Sequence, residues 1–289
     1  MGDRYQPVKE QSTCSAGFCD GKIRNMKTSK LKTRQVISDH TSSKLAKYQD
    51  LIIGKRGLFS LIKYELIVLM FSATPGALGL FLRRIFYPMI LKHVGKNVVF
   101  GSRIVLRHPH KISIGNDVII DDNCLLDAKG ADNEGIVIGN GVFLGRNTIL
   151  SCKNGSIYLK DGANIGFNCE LFSSHQVVVG ENTMIAAYTY LVGSTYDLNR
   201  VDISFAEQDV IGSENGIRIG ASSWLGSHVK VLDGVTIGDH VVIGAGALVR
   251  DNIPDYSLAV GMPAHVLRSL RPTTRDTDVP ALSLTPHAA

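Results

Sequence analysis

Aliphatic residues recur at every sixth position over much of the chain, and many of them are followed by glycine. The clearest run is IRIGASSWLGSHVKVLDGVTIGDHVVIGAGALV, and its residues in register are Ile219, Leu225, Val231, Ile237, Ile243 and Val249. A period of six fits neither the turn of an α-helix nor the alternation of a single flat strand. Fixed repetition of this kind predicts a solenoid, in which each short unit buries one inward side chain against its neighbours above and below.

The same register can be followed from residue 98 almost to the end of the chain. Its inward positions fall into triplets: Ile114, Ile120, Leu126; Ile138, Leu144, Leu150; Leu159, Ile165, Leu171; Val179, Ile185, Leu191; Ile219, Leu225, Val231; Ile237, Ile243, Val249. Each triplet corresponds to three short strands in a coil of 18 residues. The pattern therefore predicts an all-β protein, a parallel β-helix of about six coils.

Insertions into the register occur only after the third position of a triplet. Six extra residues follow Leu126, three follow Leu150, two follow Leu171, twenty-two follow Leu191, and none follow Val231. Every insertion should therefore leave the coil at the same edge. Loops that leave a rigid scaffold at one edge can build a binding site, so the long loop 192–218 is the candidate active-site loop. A loop that only bridges subunits is the alternative.

Residues 51–97 differ from the repeats and predict an N-terminal helical segment with two short helices bent at Pro75 and Gly76. The first apolar stretch, 58–71, is too short to cross a bilayer, and the second is interrupted by arginines. Two interpretations remain open. The segment caps the first coil, or it is an amphipathic hairpin at a membrane surface. In the second case, the basic residues expected to face lipid phosphates are Lys63, Arg83, Arg84 and Lys92.

Charge and cysteine content add expectations about the ends of the chain and its environment. The net charge is +5, and residues 1–56 carry 12 Lys or Arg against 5 Asp or Glu. We predict a disordered basic arm at 1–50, a disordered tail at 270–289, and no nucleic-acid partner, because the arm has no interleaved aromatic residues.

Five cysteines without a CxxC pair, and no signal peptide, favour a cytoplasmic protein. Peripheral contact with the cytoplasmic membrane face is left open.

The stretch WLGSHVKVLDGVTIGDHVVIGAGALVRDNIPDYSLAVGMPAHVLR carries a family resemblance. It combines the repeat run, an IGAGA coil, the turn DNIP and a G-x-P-A-x-V-x-R ending in one order. In this it resembles the hexapeptide-repeat acyltransferases, a left-handed β-helix family that includes galactoside, maltose, serine and polysaccharide O-acetyltransferases. The resemblance covers residues 98–269. It implies a left-handed parallel β-helix, a homotrimer, acetyl-CoA as the donor, and active sites between adjacent subunits.

The resemblance also implies roles for single residues. Trp224 corresponds to a tryptophan that walls the acceptor end of the site, and Ser227 and Ala245 correspond to small residues beside the pantetheine arm of the donor. Arg250 and Arg268 lie where the family often places contacts to the nucleotide end, and a fixed cation suits phosphates. A solvated coil edge is the alternative for both arginines.

Acetyl transfer to a hydroxyl needs a base, and the usual family histidine is missing from LVGSTYDLNR. Three interpretations follow. His175, at the inserted edge one coil earlier, acts as the base; Tyr196 or Asp197 takes part together with His175; or the site is degenerate. His108 and His110 lack the spacing of the zinc-binding relatives, so we expect no metal.

The resemblance implies an O-acetyltransferase that moves acetyl from acetyl-CoA to a hydroxyl of a sugar or polysaccharide precursor. Two alternatives stay open. One is a catalytically degenerate β-helix trimer that acts as a binding or scaffold protein. The other is a serine or amino-sugar N-acetyltransferase, which differs only in its acceptor.

Overall fold

Short strands stack into three sheets, and each sheet takes every third strand as the chain winds around a common axis. The computed structural model describes residues 36–37, 39–208, 210–213 and 215–272. Sheet 1 contains β1 (His93–Val94), β4 (Ile112–Ile114), β7 (Ile136–Ile138), β10 (Ser156–Leu159), β13 (Gln176–Val179), β16 (Ile217–Ile219) and β19 (Thr236–Ile237). Sheet 2 contains β2 (Val99–Phe100), β5 (Ile119–Ile120), β8 (Phe143–Leu144), β11 (Asn164–Ile165), β14 (Met184–Ile185), β17 (Trp224–Leu225), β20 (Val242–Ile243), β22 (Ser257–Val260) and β23 (His265–Ser269). Sheet 3 contains β3 (Val105–Arg107), β6 (Leu125–Asp127), β9 (Ile149–Ser151), β12 (Glu170–Ser173), β15 (Tyr190–Gly193), β18 (Lys230–Leu232) and β21 (Leu248–Val249).

All strand pairs are parallel except the terminal hairpin of β22 and β23, which is antiparallel. Each coil passes from sheet 1 to sheet 2 to sheet 3, and the chain then returns to sheet 1. The prediction of a parallel β-helix is confirmed. The interior is filled by the side chains of the sixfold register: all eighteen positions named above are 2% exposed or less.

The predicted number of coils was too low, since the described residues form about eight turns rather than six. One additional coil, β1 to β3, precedes Ile114. Its inward positions Val94, Phe100 and Leu106 keep the spacing of six, but Phe100 is aromatic and fully buried. At the other end, β22 adds part of a further turn beside β20.

The two corners without insertions turn sharply through residues with positive φ. Asparagine occupies many of these positions, including Asn97, Asn123, Asn147, Asn168 and Asn182. Asparagine tolerates the left-handed region better than most residues, because its short polar side chain can form local hydrogen bonds. The Asn147 amide donates to Asn168 Oδ1 at 3.0 Å in the next coil. These corners therefore hold the coils in register as well as turning the chain.

Helices precede the first coil. They are α1 (Lys44–Tyr48), a π-helical turn (Gln49–Ile53), α2 (Leu58–Phe71) and α3 (Gly76–Phe86), followed by a 3₁₀ turn (Tyr87–Met89); a further 3₁₀ turn (Pro109–Lys111) interrupts the β-helix. Helix therefore begins before residue 51, inside the segment predicted to be a disordered arm, and β1 begins before residue 98. The remainder of that arm, residues 1–35, and residues 273–289 of the predicted tail lie outside the described residues.

The helices cover the first coil through buried polar contacts. Arg83 is 1% exposed; its Nε donates to the Phe100 carbonyl at 3.0 Å, and its Nη1 donates to the carbonyls of Phe71 and Thr74 at 3.0 and 2.8 Å. Tyr64 donates to the Leu106 carbonyl at 2.8 Å. The expectation that Arg83 faces lipid phosphates is therefore wrong, because its guanidinium is buried in the cap and donates to backbone carbonyls there.

His108 and His110 also pack against this cap. His108 is buried, and its Nε2 donates to the Asp50 carbonyl at 3.0 Å. The ring of His110 lies 6.1 Å from that of His108, and burial together with Lys55 lowers the pKa of His110 to about 4. Within the described ranges, no helix is long and apolar enough to cross a membrane.

Replacing Arg83 tests the cap. We expect Arg83→Ala to lower the free energy of unfolding by about 3 kcal/mol, because it leaves buried carbonyls without a donor. Neighbouring Arg84 is exposed, so Arg84→Ala should stay within about 0.5 kcal/mol of wild type. Urea unfolding followed by circular dichroism measures both. Equal losses in the two variants would contradict this role for Arg83.

The depressed pKa of His110 predicts a loss of stability on acidification. Between about pH 6.5 and pH 4 the unfolded chain takes up a proton at His110 that the folded chain does not, so stability falls as the pH falls through this window. His110→Gln should weaken this dependence, whereas His93→Gln, at an exposed position, should not. Urea midpoints at a series of pH values provide the measurement. An unchanged slope in His110→Gln would contradict the prediction.

Candidate active site

The long loop leaves the β-helix between β15 and β16, at the corner where sheet 3 returns to sheet 1. We call this edge the loop corner. The loops that follow β6, β9 and β12 leave at the same corner. The prediction that all insertions share one edge is therefore confirmed, although the connection after β18 at this corner carries no insertion.

A neck closes the base of this loop. The backbone amides of Thr195 and Ile211 each donate to the other residue's carbonyl, at 2.7 and 2.9 Å. The tip beyond the neck is held by local contacts: the rings of Tyr196 and Phe205 meet edge to face with centroids 6.0 Å apart, and Asp197 Oδ1 accepts from the Asn199 amide at 3.0 Å. The described part of the long loop is therefore held in a defined conformation by its own contacts.

A cleft lies between the neck and the next coil. Its lining consists of Val192, Ser194, Thr195, Ile211, Gly212, Ser213, Leu232, Asp233 and Arg250. Asp233 Oδ2 accepts from the Ser213 amide at 2.5 Å, while its Oδ1 is buried with no hydrogen-bond partner among the described residues. Arg250 is exposed, and its Nε lies 3.1 Å from Asp251 Oδ2. The cleft thus combines an anion, a cation and several hydroxyls.

His175 lies at the loop corner, as predicted, in the turn between β12 and β13. It is exposed, and its neighbour Ser174 donates to the Gly193 carbonyl at 2.6 Å. Gly212 passes directly over this turn: a Cβ added at Gly212 would lie 3.4 Å from His175 Cβ. His175 therefore borders the neck of the long loop, although it is not part of the cleft lining.

The remaining predicted residues lie away from the loop corner. Trp224 is half exposed on the outer face of sheet 2, between Met184 and Val242. Ser227 lies at the corner between sheets 2 and 3, where its carbonyl accepts from the Gly246 amide at 2.8 Å.

Ala245 is exposed at that same corner in the next coil, and Arg268 is exposed on β23 at the end of sheet 2. Arg250, in contrast, lies at the loop corner, so the two predicted nucleotide contacts are on different edges of the chain. One chain therefore groups His175, Tyr196, Asp197 and Arg250 at the loop corner, and it places the other predicted residues on another side.

Asp233 was not among the site residues predicted from the sequence. The signal was present, because LDGV follows the third position of its triplet, Val231, and therefore has to lie at the loop corner. The partner is a residue of the loop, Ser213, and no spacing rule relates the two positions. Among the described residues, no group of three or more histidines, cysteines or carboxylates is arranged to hold a metal ion.

Asp233 should hold the returning arm of the loop. We expect Asp233→Ala to increase proteolytic cleavage within residues 198–208 severalfold, because the Ser213 amide loses its acceptor. Asp251→Ala removes an exposed carboxylate near the same edge and serves as the control. Limited proteolysis with mass spectrometry measures both rates. Equal rates for the two variants would show that Asp233 does not anchor the loop.

Part of the repeat region matches a known family model, and longer parts of the chain are similar to known proteins. Residues 216–251 match the family model described as bacterial transferase hexapeptide (six repeats). A "Probable acetyltransferase" of Mycobacterium tuberculosis is 32% identical over 132 residues, which are 46% of this chain and 43% of that protein. A "Putative acetyltransferase" of Staphylococcus aureus is 50% identical over 68 residues, 24% of this chain and 32% of that protein. The chain thus spans less than half the length of these two relatives.

A third relative is matched over more of its own length. The "Putative lipopolysaccharide biosynthesis O-acetyl transferase WbbJ" of Escherichia coli is 27% identical over 168 residues, 54% of this chain and 81% of that protein. Among solved structures, AntD, an N-acyltransferase from Bacillus cereus in complex with dTDP and 3-hydroxybutyryl-CoA, is 19% identical with a TM-score of 0.47, covering 70% of this chain and 92% of that one.

The resemblance predicted from the sequence is confirmed by the family match and by these relatives. Residues 216–251 match the hexapeptide repeat of bacterial transferases and form part of the parallel β-helix, and the chain is similar to proteins named acetyltransferases.

Proposed function

We propose that this protein transfers an acetyl group from acetyl-CoA to a hydroxyl of a sugar or polysaccharide precursor. The observation that carries the proposal is the match of residues 216–251 to the transferase repeat, since this segment contains Trp224, Ser227, Ala245 and Arg250. The name of the Escherichia coli relative, an O-acetyl transferase of lipopolysaccharide biosynthesis, supports a hydroxyl on a saccharide as the acceptor.

The transfer requires three events at one place. The acceptor oxygen attacks the thioester carbonyl and forms a C–O bond, a base takes the hydroxyl proton, and the C–S bond breaks to release the CoA thiolate, which is then protonated. The oxyanion that forms on the carbonyl needs hydrogen-bond donors. No metal is required at any of these steps.

His175 is the proposed base. It is exposed beside the neck of the loop, so an acceptor held under the loop can reach its ring. Tyr196 and Asp197 follow the neck directly and are proposed to orient the acceptor or the histidine ring. Asp197 already accepts one backbone hydrogen bond, which fixes its carboxylate at the start of the tip.

The composition of the cleft supports a hydroxylated acceptor. Ser194, Thr195 and Ser213 line it together with Asp233, whose Oδ1 is buried without a partner among the described residues. A buried carboxylate oxygen gains free energy when a ligand hydroxyl donates to it. We propose that Asp233 accepts a hydrogen bond from a second hydroxyl of the sugar.

The separation of the two groups of residues supports a homotrimer. A single chain places His175 at the loop corner, while Trp224 lies on sheet 2 and Ala245 at the corner between sheets 2 and 3. In a cyclic trimer each interface is heterologous and presents one edge of a protomer to a different edge of its neighbour. We propose that the active site is completed in this way and that CoA lies along the Ser227 and Ala245 side.

Binding and turnover separate the donor site from the base. We expect calorimetry to show acetyl-CoA binding by wild type and by His175→Ala with equal affinity, while release of the CoA thiol in the presence of a panel of sugars falls about 100-fold or more in the variant. His240→Ala, at an exposed corner on another edge, is the control and should retain turnover. Failure of wild type to bind acetyl-CoA would contradict the proposed function and favour a scaffold protein.

A further inference from the structure

Helix α2 exposes an almost entirely apolar face. Leu58, Phe59, Ile62, Leu66, Leu69 and Met70 are all exposed, with Phe59 at 80% and Leu69 at 79%. Their spacing of three and four residues puts them on one side of the helix, while Tyr64 and Ile67 on the opposite side are buried against the first coil. Helix α2 is therefore apolar on its solvent-exposed side as well as on its buried side.

Helix α3 repeats this arrangement. The exposed apolar residues of α3 are Leu78, Leu80, Phe81 and Ile85. On its other side, Gly79 and Arg83 are buried. Met89, in the following 3₁₀ turn, is 52% exposed. Eleven large apolar side chains on two consecutive helices and the turn after them exceed the scattered exposure of an ordinary surface, and such patches mark interaction sites.

The charge of the segment selects the kind of partner. Residues 51–96 contain seven Lys or Arg and one acidic residue, Glu65; of the seven, Arg83 is buried and Arg56 pairs with Asp50. Lys55, Arg84, Lys92 and Lys96 are exposed. An apolar helix face flanked by basic side chains is the pattern of a helix that lies in the headgroup region of an anionic bilayer.

A small cavity at the start of α2 is lined by both basic and exposed apolar side chains. Its lining includes Lys55, Phe59, Lys63, Met89 and His110. Lys55 and Lys63 therefore line the same cavity as the exposed apolar side chains Phe59 and Met89.

A second copy of the chain is a poorer partner for this surface than a bilayer is. In a twofold contact the same patch meets itself, so the basic side chains of both copies would be brought together at the rim, which is repulsive. An anionic membrane surface neutralises the same charges instead. No helix among the described residues is able to span the bilayer, so contact at the interface is what these helices allow.

We propose that helices α2 and α3 dock the protein on the surface of an anionic phospholipid bilayer, with the apolar side chains inserted at the headgroup boundary and Lys55 and Lys63 contacting lipid phosphate. This surface lies over the first coil, whereas the cleft lies beside β15 and β18, several coils further along the β-helix. The proposal stands whether or not the acetyl transfer proposed above takes place.

Vesicle co-sedimentation of the full chain tests the docking. Wild type should bind vesicles that contain about one third phosphatidylglycerol and should not bind phosphatidylcholine alone, and binding should weaken with added salt. The double variant Phe59→Ser/Leu69→Ser should bind the anionic vesicles at least about tenfold more weakly. Both positions are almost fully exposed, so folding should be retained.

Matched controls separate the surface from general effects. Met262→Ser/Leu267→Ser removes exposed apolar residues at the opposite end of the β-helix and should bind like wild type. Lys55→Gln/Lys63→Gln should weaken binding about tenfold, whereas Lys160→Gln/Lys230→Gln should not.

The basic residues of positions 1–50 could also attract anionic lipid, so the apolar variant is the decisive comparison. Unchanged vesicle binding in Phe59→Ser/Leu69→Ser would overturn the proposal. So would a lower molecular mass of this variant in light scattering without any vesicle binding by wild type, because a second copy would then cover the face.

Discussion

The stacking of one aliphatic side chain upon the next, coil after coil, is the constraint on which the rest of the molecule depends. Each interior residue is buried only because the coils above and below supply its neighbours. In sheet 2, for example, Leu144 is buried between Ile120 of the preceding coil and Ile165 of the next. The corners between sheets 1 and 2 and between sheets 2 and 3 must turn within a few residues to keep this register. Added chain is therefore accommodated at one corner, and the candidate site lies there.

A stack of this kind has two open ends, and the first one determines the character of the N-terminal segment. The carbonyls of the first coil have no preceding strand to pair with, and buried donors must replace it. Arg83 and Tyr64 do so from the helices, which fixes α2 and α3 against the β-helix. Because only one side of each helix is needed for capping, the other side is available for a partner.

The sequence determined the repeat and the loop corner almost completely, because a period of six with insertions at one phase has one geometric meaning. It did not reveal the first coil, where Phe100 replaces an aliphatic residue. The burial of Arg83 was also not predicted. Whether an arginine is buried or exposed depends here on where the backbone carbonyls lie that its guanidinium can reach, and the sequence does not give their positions. The contact of Asp233 with Ser213 depends on how the loop folds back, which no repeat encodes. The roles of His175, Tyr196 and Asp197 remain predictions.

We propose that residues on two different edges of the chain form one active site across a subunit boundary. Complementation between inactive variants tests it directly: His175→Ala and Trp224→Ala are denatured, mixed in equal amounts and refolded together. We expect the mixture to regain about a quarter of wild-type turnover, because that fraction of heterologous interfaces in a trimer combines an intact His175 with an intact Trp224. A mixture as inactive as either variant alone, despite shown subunit exchange, would contradict a shared site.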